Sequence, residues 1–373
     1  MPILRRSLNV LLASVVFLGC KHKMEKSSIF EDDDGRIHFR KGSENLVVAP
    51  SSVNEARAAA LLPMKPSEDM SHLLRAIDLP KSEPKSDSDR EYLPYDTVEW
   101  VVTAEFSGSP RLNPNEVFEA FEKKWRDEVG GHSVYGRDAD TGLWTFLISA
   151  DGPKAVTSLK FAWDYVGLND DSPVTLKLLE KRLVGVTERL KRFGDAKVNC
   201  SLPPNQAERR ARELRDLKAR FDQSAVLILK APKGRQFDGN EIWDVMLCLG
   251  LKWGDMDCFH WANQSEFGDD QFFSVETTTP PGYFLPEEIA AGRLHTNDLV
   301  FVFSIPRSTS PVAVFDAMET AAAYCQRRLK GTIHDQTGHV ADFAAIRSRI
   351  EGIDREMRKI GIDCGSDAAL RLF

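Results

Sequence analysis

The feature that most constrains this chain is the order of apolar runs over residues 224–357. SAVLILKAP gives way to a short polar turn, and a helix start is readable at Asp238-Gly239-Asn240-Glu241. LGLKWGDMDCFHW follows, then a strand-like QFFSVETT ended by Pro280-Pro281-Gly282, then a second apolar strand, NDLVFVFSIP. Two amphipathic helices close the segment. Strand, helix, several strands, helix, short strand, helix is the pattern of an α+β domain, an antiparallel sheet with helices on one face.

Side chains on a strand alternate faces with a period of two, so each strand can be split into an inner and an outer set. In NDLVFVFSIP the bulky set Phe301, Phe303 and Ile305 is expected against the helices, leaving Val300, Val302 and Ser304 outside. In FFSVETT the inner set is Phe273, Val275 and Thr277, with Ser274, Glu276 and Thr278 outside. In SAVLILKA, Val226 and Ile228 are assigned inward, and Leu227, Leu229 and Ala231 outward. Met256 and Cys258 share the outward side of a short strand. The open face is therefore expected to show Leu227, Leu229, Ala231, Met256, Val300 and Val302, a set apolar enough to mark an interaction surface.

Residues 95–221 repeat the element order. VEWVVTAEF reads as a strand, NPNEVFEAFEKKW as a helix with Val117, Phe118, Phe121 and Trp125 on one face, and LWTFLIS and LKFAWDY as strands. A long helix with Leu176, Leu179, Leu183, Val186, Leu190 and Phe193 at intervals of three and four precedes the charged helix AERRARELRDLKARF. Asn115-Glu116-Val117-Phe118 aligns with Asn240-Glu241-Ile242-Trp243, Ser172-Pro173-Val174 with Ser310-Pro311-Val312, and Phe161-Ala162-Trp163 with Phe301-Val302-Phe303. Self-similarity of this kind is the mark of duplication. Where the second copy has Gly254-Asp255-Met256, the first has Gly131-His132-Ser133. The fold expected is two tandem split β-α-β-type domains, at 95–222 and 223–360, followed by a tail at 361–373.

The motifs FDG at 237–239, GDM at 254–256, Phe273-Ser274, Pro281-Gly282 and SIP at 304–306 occur in an order that resembles the C-terminal domain of the ZipA family, bacterial cell-division proteins that bind the tail of FtsZ. The resemblance covers about a third of the chain. It implies that the open sheet face is a shallow groove for the FtsZ C-terminal peptide, lined here by Leu229, Ala231, Met256, Thr278, Val300 and Val302. Thr278 and Ala231 are smaller or more polar than the large apolar residues usual in the family.

Residues 1–23, MPILRRSLNVLLASVVFLGCKHK, place two arginines before an apolar run and two lysines after it. Thirteen apolar-run residues reach about 20 Å, short of the roughly 30 Å bilayer core. This is an N-terminal membrane-attachment segment, by one of two routes. Phe17-Leu18-Gly19-Cys20 resembles a lipobox, which makes Cys20 a lipidation candidate and the body an exported lipoprotein. The ZipA resemblance instead implies an inner-membrane anchor with a cytoplasmic body. Residues 24–94, with acidic runs and PKSEPKSDSDRE, are expected to be a disordered tether with short helices at SSVNEARAAALLPM and SHLLRAI.

The chain carries a formal net charge of -7, which leaves no excess of lysine and arginine for a nucleic-acid partner. The five cysteines beyond Cys20 have no framework spacing and fit free thiols in a reducing compartment. The sequence contains no Walker loop, no dinucleotide-binding fingerprint, no HExxH and no GxSxG. Cys258-Phe259-His260 could offer two metal ligands but has no second pair at suitable spacing, so no metal, cofactor or catalytic residue is assigned, and the chain reads as a binding protein rather than an enzyme.

Overall fold

The computed structural model describes residues 27–31, 37–41, 44–48, 53–74, 77 and 91–373, apart from 109, 150–151, 168–172, 264 and 266. The N-terminal attachment segment with Cys20, and Ser172 of the repeat alignment, lie outside the described residues. Among the described residues no helix is long and apolar enough to cross a membrane. The chain divides into two compact units, residues 1–60 and 61–373. The first holds three short strands, β1 (Ser27–Glu31), β2 (Ile37–Lys41) and β3 (Glu44–Val48), paired antiparallel in sequence order, and a helix α1 (Val53–Ala59).

Among the described residues the second unit contains two large antiparallel sheets and one two-stranded pair. The first sheet is built from β4 (Glu99–Phe106), α2 (Pro114–Ala120), α3 (Lys123–Val129), β5 (Ser133–Asp138), β6 (Trp144–Phe146), β7 (Val156–Asp164), α4 (Leu176–Leu190), β8 (Ala196–Cys200) and α5 (Pro204–Phe221). Its strand order is β6-β5-β7-β4-β8. Asn113 accepts a hydrogen bond from the Asn115 N–H and Pro114 opens α2, a cap-and-proline start that satisfies one orphan donor and presets φ. Helix α4 buries Leu179, Val186 and Leu190, and lies close to α3 because residue 185 is glycine. A Cβ there would stand 2.3 Å from Trp125 Nε1.

The second sheet is built from β9 (Ser224–Lys230), β10 (Phe237–Asp238), α6 (Gly239–Cys248), β11 (Lys252–Trp253), β12 (Phe259–Ala262), β13 (Gln271–Glu276), α7 (Pro286–Ala290), β14 (His295–Thr296), β15 (Asp298–Ser304), α8 (Pro311–Leu329), β16 (Thr332–His334) and α9 (Phe343–Lys359). Its order is β11-β12-β13-β15-β9-β16, with β10 and β14 paired separately. Asp238 caps α6 by accepting from the Asn240 and Glu241 N–H groups, and Asp342 caps α9 through the Ala345 N–H.

The two sheets share a frame. The caps Asn113 and Asp238 are 125 positions apart (238 − 113). The same spacing relates Val102 to Leu227, which face Phe161 and Phe301 across the central strand pair. This supports reading the halves as copies. The Ser-Pro alignment shifts, however: Ser310 immediately precedes α8, without a side-chain cap bond, whereas Thr175, three residues beyond Ser172, caps α4 by accepting from the Leu178 N–H. The outer strands also differ in connection. Next to β7 stands β5, the first strand after the helices; next to β15 stands β13, the last strand of that sheet before it, with β14 of the separate pair the only strand between them in the chain. Gly131-His132 therefore does not hold the place of Gly254-Asp255-Met256; His132 packs on Trp163, with ring centroids 4.9 Å apart.

Residues 61–74 and 361–373 hold more regular structure than composition implies. Besides β1–β3, residues 61–74 form a strap across α6 and α8. Trp243 Nε1–H donates to Pro63 O at 2.8 Å, and the Met70 N–H donates to Cys248 O at 2.8 Å. The Ser67 N–H and hydroxyl donate to Asp244 at 2.7 and 2.6 Å, and Arg328 joins Asp244 to Glu68. The segment at 361–373 contains a last helix, α10 (Asp367–Leu372). Its Arg371 pairs with Glu99 at 2.9 Å and Asp164 at 2.8 Å, and Arg307 donates to its Leu370 carbonyl at 2.9 Å. Residues 91–98 and α10 together cover the open side of the first sheet. Tyr92 lies against Phe146, Tyr95 donates to Asp367, and Val101, Tyr135 and Ala162 are buried.

The Glu99 side chain has no solvent exposure, and burial pushes its carboxyl upward against the pull of Arg371. Removing one partner of such a pair leaves the other buried and uncompensated. Arg371→Ala is therefore expected to lower unfolding stability in urea by about 3 kcal/mol, and Glu99→Gln added to it is expected to recover most of the loss.

Candidate functional site

The side of the second sheet away from the helices is fixed by the β9–β15 register. Phe301 stands opposite Leu227, Leu299 opposite Leu229 and Phe303 opposite Ala225. Directly opposed residues share a face, and all six are buried, toward α8. The other parity pairs Val300 with Ile228 and Val302 with Val226, and continues to Glu276 and Ser274 on β13. This corrects the expectation for β9. Leu227 and Leu229 are core residues with no solvent exposure, and Val226 and Ile228 line the open face, partly exposed.

Of the other residues assigned to this face, Val302 is partly exposed, while Val300 is nearly buried between Ile228 and Glu276. Ala231 lies past the end of β9, where its N–H donates to Asn297 O at 2.8 Å, and it continues the parity of Leu229 rather than that of the open face. Thr278 is exposed just beyond β13, but its N–H and hydroxyl are both given to the Asp298 carboxylate, which also takes the Thr277 hydroxyl. Its polar atoms are committed to the fold and its methyl group remains for contact.

Met256 sits in a tight turn between β11 and β12 rather than on a strand. With Asp257 it takes the left-handed conformation, φ 55° and 54°, and its side chain is 56% exposed. Two consecutive non-glycine residues in that region cost on the order of 1–3 kcal/mol each unless the surroundings hold them. The turn is closed by the Asp257 N–H donating to Gly254 O and the Gly254 N–H donating to Cys258 O, both at 3.0 Å. Cys258, expected outward with Met256, is buried, and burial pushes its thiol up to about 12. All five described cysteines are free thiols.

Between this turn and β15 lies a cleft of about 350 Å³ lined by Asp255, Gln271, Phe272, Ser274, Val302 and Ser304, among others. Phe272 shares the parity of Ser274, and Gln271 reaches the cleft where the β12–β13 pairing is irregular between Trp261 and Ala262. Asp269 and Asp270 stand at its rim, the former held by Arg307 Nε at 2.9 Å. His260 lies on the open parity of β12, opposite Ser274 and Lys252, and is nearly buried. Burial holds its imidazole below the ordinary histidine range, so it is neutral at pH 7. Among the described residues no group of three or more His, Cys, Asp or Glu could hold a metal ion. The open face thus carries a partly exposed apolar patch, Val226, Ile228 and Val302, bordered by a cleft whose lining is mostly polar.

Residues 223–349 match the family of the ZipA C-terminal FtsZ-binding domain. The cell division protein ZipA of Marinobacter nauticus is 30% identical over 136 residues, 36% of this chain and 40% of that protein. That of Pseudomonas aeruginosa is 28% identical over 145 residues, 38% of this chain and 49% of that protein. That of Shewanella loihica is 29% identical over 116 residues, 31% and 34% of the two chains. The similarity thus spans half or less of each relative.

The parity of β9 is open to a direct check. Leu227→Ala, which empties a packed position against α8, is expected to cost about 3 kcal/mol of stability, and Val226→Thr about 0.5 kcal/mol, in chemical denaturation.

Proposed function

From the premise that residues 223–349 are a ZipA-type C-terminal domain, we propose that this protein is a membrane-tethered cell-division adaptor that takes the C-terminal peptide of FtsZ on the open face of its second sheet. The single observation that carries the reading is the contrast between the two sheets. The chain's own residues 91–98 and α10 occupy the open side of the first. On the second, Val226, Ile228 and Val302 are partly exposed, and Met256 stands out beside the cleft.

The energetics suit a weak, repeated contact. Burying three or four apolar side chains of a peptide contributes about 1.5–3 kcal/mol each. After the cost of ordering the peptide, about -8 kcal/mol remains at best, which is micromolar affinity. A filament that offers many tails to many tethered copies raises the effective strength through avidity.

Tethering at the inner membrane, with the body in the cytoplasm, is the part of the proposal that rests on residues 1–23. The Phe17-Leu18-Gly19-Cys20 motif favours a second reading, an exported lipoprotein that uses the same scaffold for an envelope partner. A reporter fused after Phe373 decides between them: activity in the cytoplasm fits the adaptor, and activity only outside it fits the lipoprotein.

Placing a charge on the apolar strip should abolish recognition. Met256→Glu and Val302→Glu are each expected to weaken binding of a synthetic FtsZ C-terminal peptide more than tenfold by fluorescence anisotropy, with the melting temperature little changed. Unchanged binding by both variants would remove the open face as the site.

A further inference from the structure

His260 occupies a place on this face that neither a core nor a metal-ligand role explains. It is nearly buried, and both ring nitrogens are engaged. Nε2 lies 2.8 Å from the Asp255 carbonyl, on the residue before Met256, and Nδ1 lies 2.8 Å from Ser274 Oγ on β13. Ser274 Oγ is in turn 2.9 Å from Gln271 Oε1. Asp255, Ser274 and Gln271 all line the cleft. One imidazole therefore ties the turn that carries Met256 to the strand that forms the cleft wall.

The turn needs such a tie. Met256 and Asp257 are both left-handed, a conformation that persists in bulky residues only where neighbouring structure enforces it. Its backbone bonds close the loop and also take the Phe284 N–H at the Asp257 carbonyl, 2.8 Å; the imidazole adds a tie from the Asp255 carbonyl to Ser274 on β13.

We propose that His260 is a positioning residue for the peptide site, holding the Met256 turn at the edge of the cleft through the Asp255 carbonyl and the Ser274 hydroxyl. The inference rests on the peptide-binding reading above and adds a residue to it. The carbonyl can only accept, so Nε2 carries a proton in every state. In the neutral ring Nδ1 accepts the Ser274 hydroxyl, and the Gln271 amide turns its NH2 toward Ser274 Oγ. In the imidazolium Nδ1 donates to Ser274 Oγ, and that hydroxyl swings to Gln271 Oε1. Protonation thus reverses the polarity of the cleft wall. Of the charged groups beside the ring, Asp255 on the turn favours the cation, and Lys252 stands directly opposite on β11.

The test uses the full chain and a synthetic FtsZ C-terminal peptide, with Val302→Glu as the control for the site itself. His260→Leu is expected to weaken binding about tenfold at pH 7.5. His260→Gln, whose amide can still reach a carbonyl, is expected to recover most of it, and Ser274→Ala, which removes one oxygen and spares the fold, to weaken it about threefold. The ¹³C-methyl resonance of Met256 is expected to titrate in one step below the ordinary histidine pKa of about 6.5 in the wild type, and to stay flat in His260→Gln. If Val302→Glu abolishes binding while His260→Leu and Ser274→Ala bind as wild type, the positioning role is overturned and the site stands. If Val302→Glu binds as wild type, the site reading falls. The methyl resonance then decides the tie alone, and a Met256 signal unmoved by pH and by His260→Leu would overturn it.

Discussion

The second sheet depends on one pairing, β9 against β15. These two strands are its centre, and their register puts Ala225, Leu227 and Leu229 opposite Phe303, Phe301 and Leu299. A shift of one residue would turn that whole set to the open side and bury Val226, Ile228 and Val302 in its place. Fully buried large side chains make the register expensive to change, and with the core side fixed the other side has no freedom left. The open strip is thus set by what packs behind it.

A sheet with one apolar side left open faces a recurrent difficulty, since exposed greasy surface invites association. This chain treats its two sheets differently. On the first, a segment before β4 and a helix at the far end of the chain close the face, with Arg371 neutralising a carboxylate that has no access to water. On the second, the cover is partial: Glu276, His260 and Ser274 break up the apolar parity, and a cleft stays between the Met256 turn and β15. The two sheets therefore differ in how far the chain itself covers their open sides.

The parts of this arrangement that sequence made legible are those with one-sided patterns. Phe301, Phe303 and Ile305 against Val300, Val302 and Ser304 leave no doubt which set fills a core, and the caps Asn113 and Asp238 announce their helices. SAVLILKA gives no such contrast, because Leu227 and Leu229 compete with Val226 and Ile228 at nearly equal hydrophobicity; only the partner strand decides, and pairing is a long-range fact. The strap at 61–74 has no periodicity of its own and takes its form from Trp243, Asp244 and Arg328, far along the chain. Equal element order in the two halves also conceals that β5 and β13 reach the same place in their sheets by opposite routes. The value of His260 was hidden for a related reason: Cys258-Phe259-His260 looks like half of a metal site, and its real partners are a carbonyl five residues back and a hydroxyl on another strand.

The strap has a consequence for direction. Residues 61–74 dock on α6 and α8, the helical layer, whereas Val226, Val302 and the cleft belong to the opposite side of the sheet. The strap therefore lies behind the open strip. In the proposed adaptor, a load between residues 61–74 and a peptide on the strip would pass through the thickness of the domain, across α6, α8 and the central strands, rather than peel the sheet from an edge. Shearing several packed layers at once resists force better than opening one ladder bond by bond, because many contacts must fail together. Fastening the strap through Ser67, Glu68, Asp244 and Arg328 keeps that route in place.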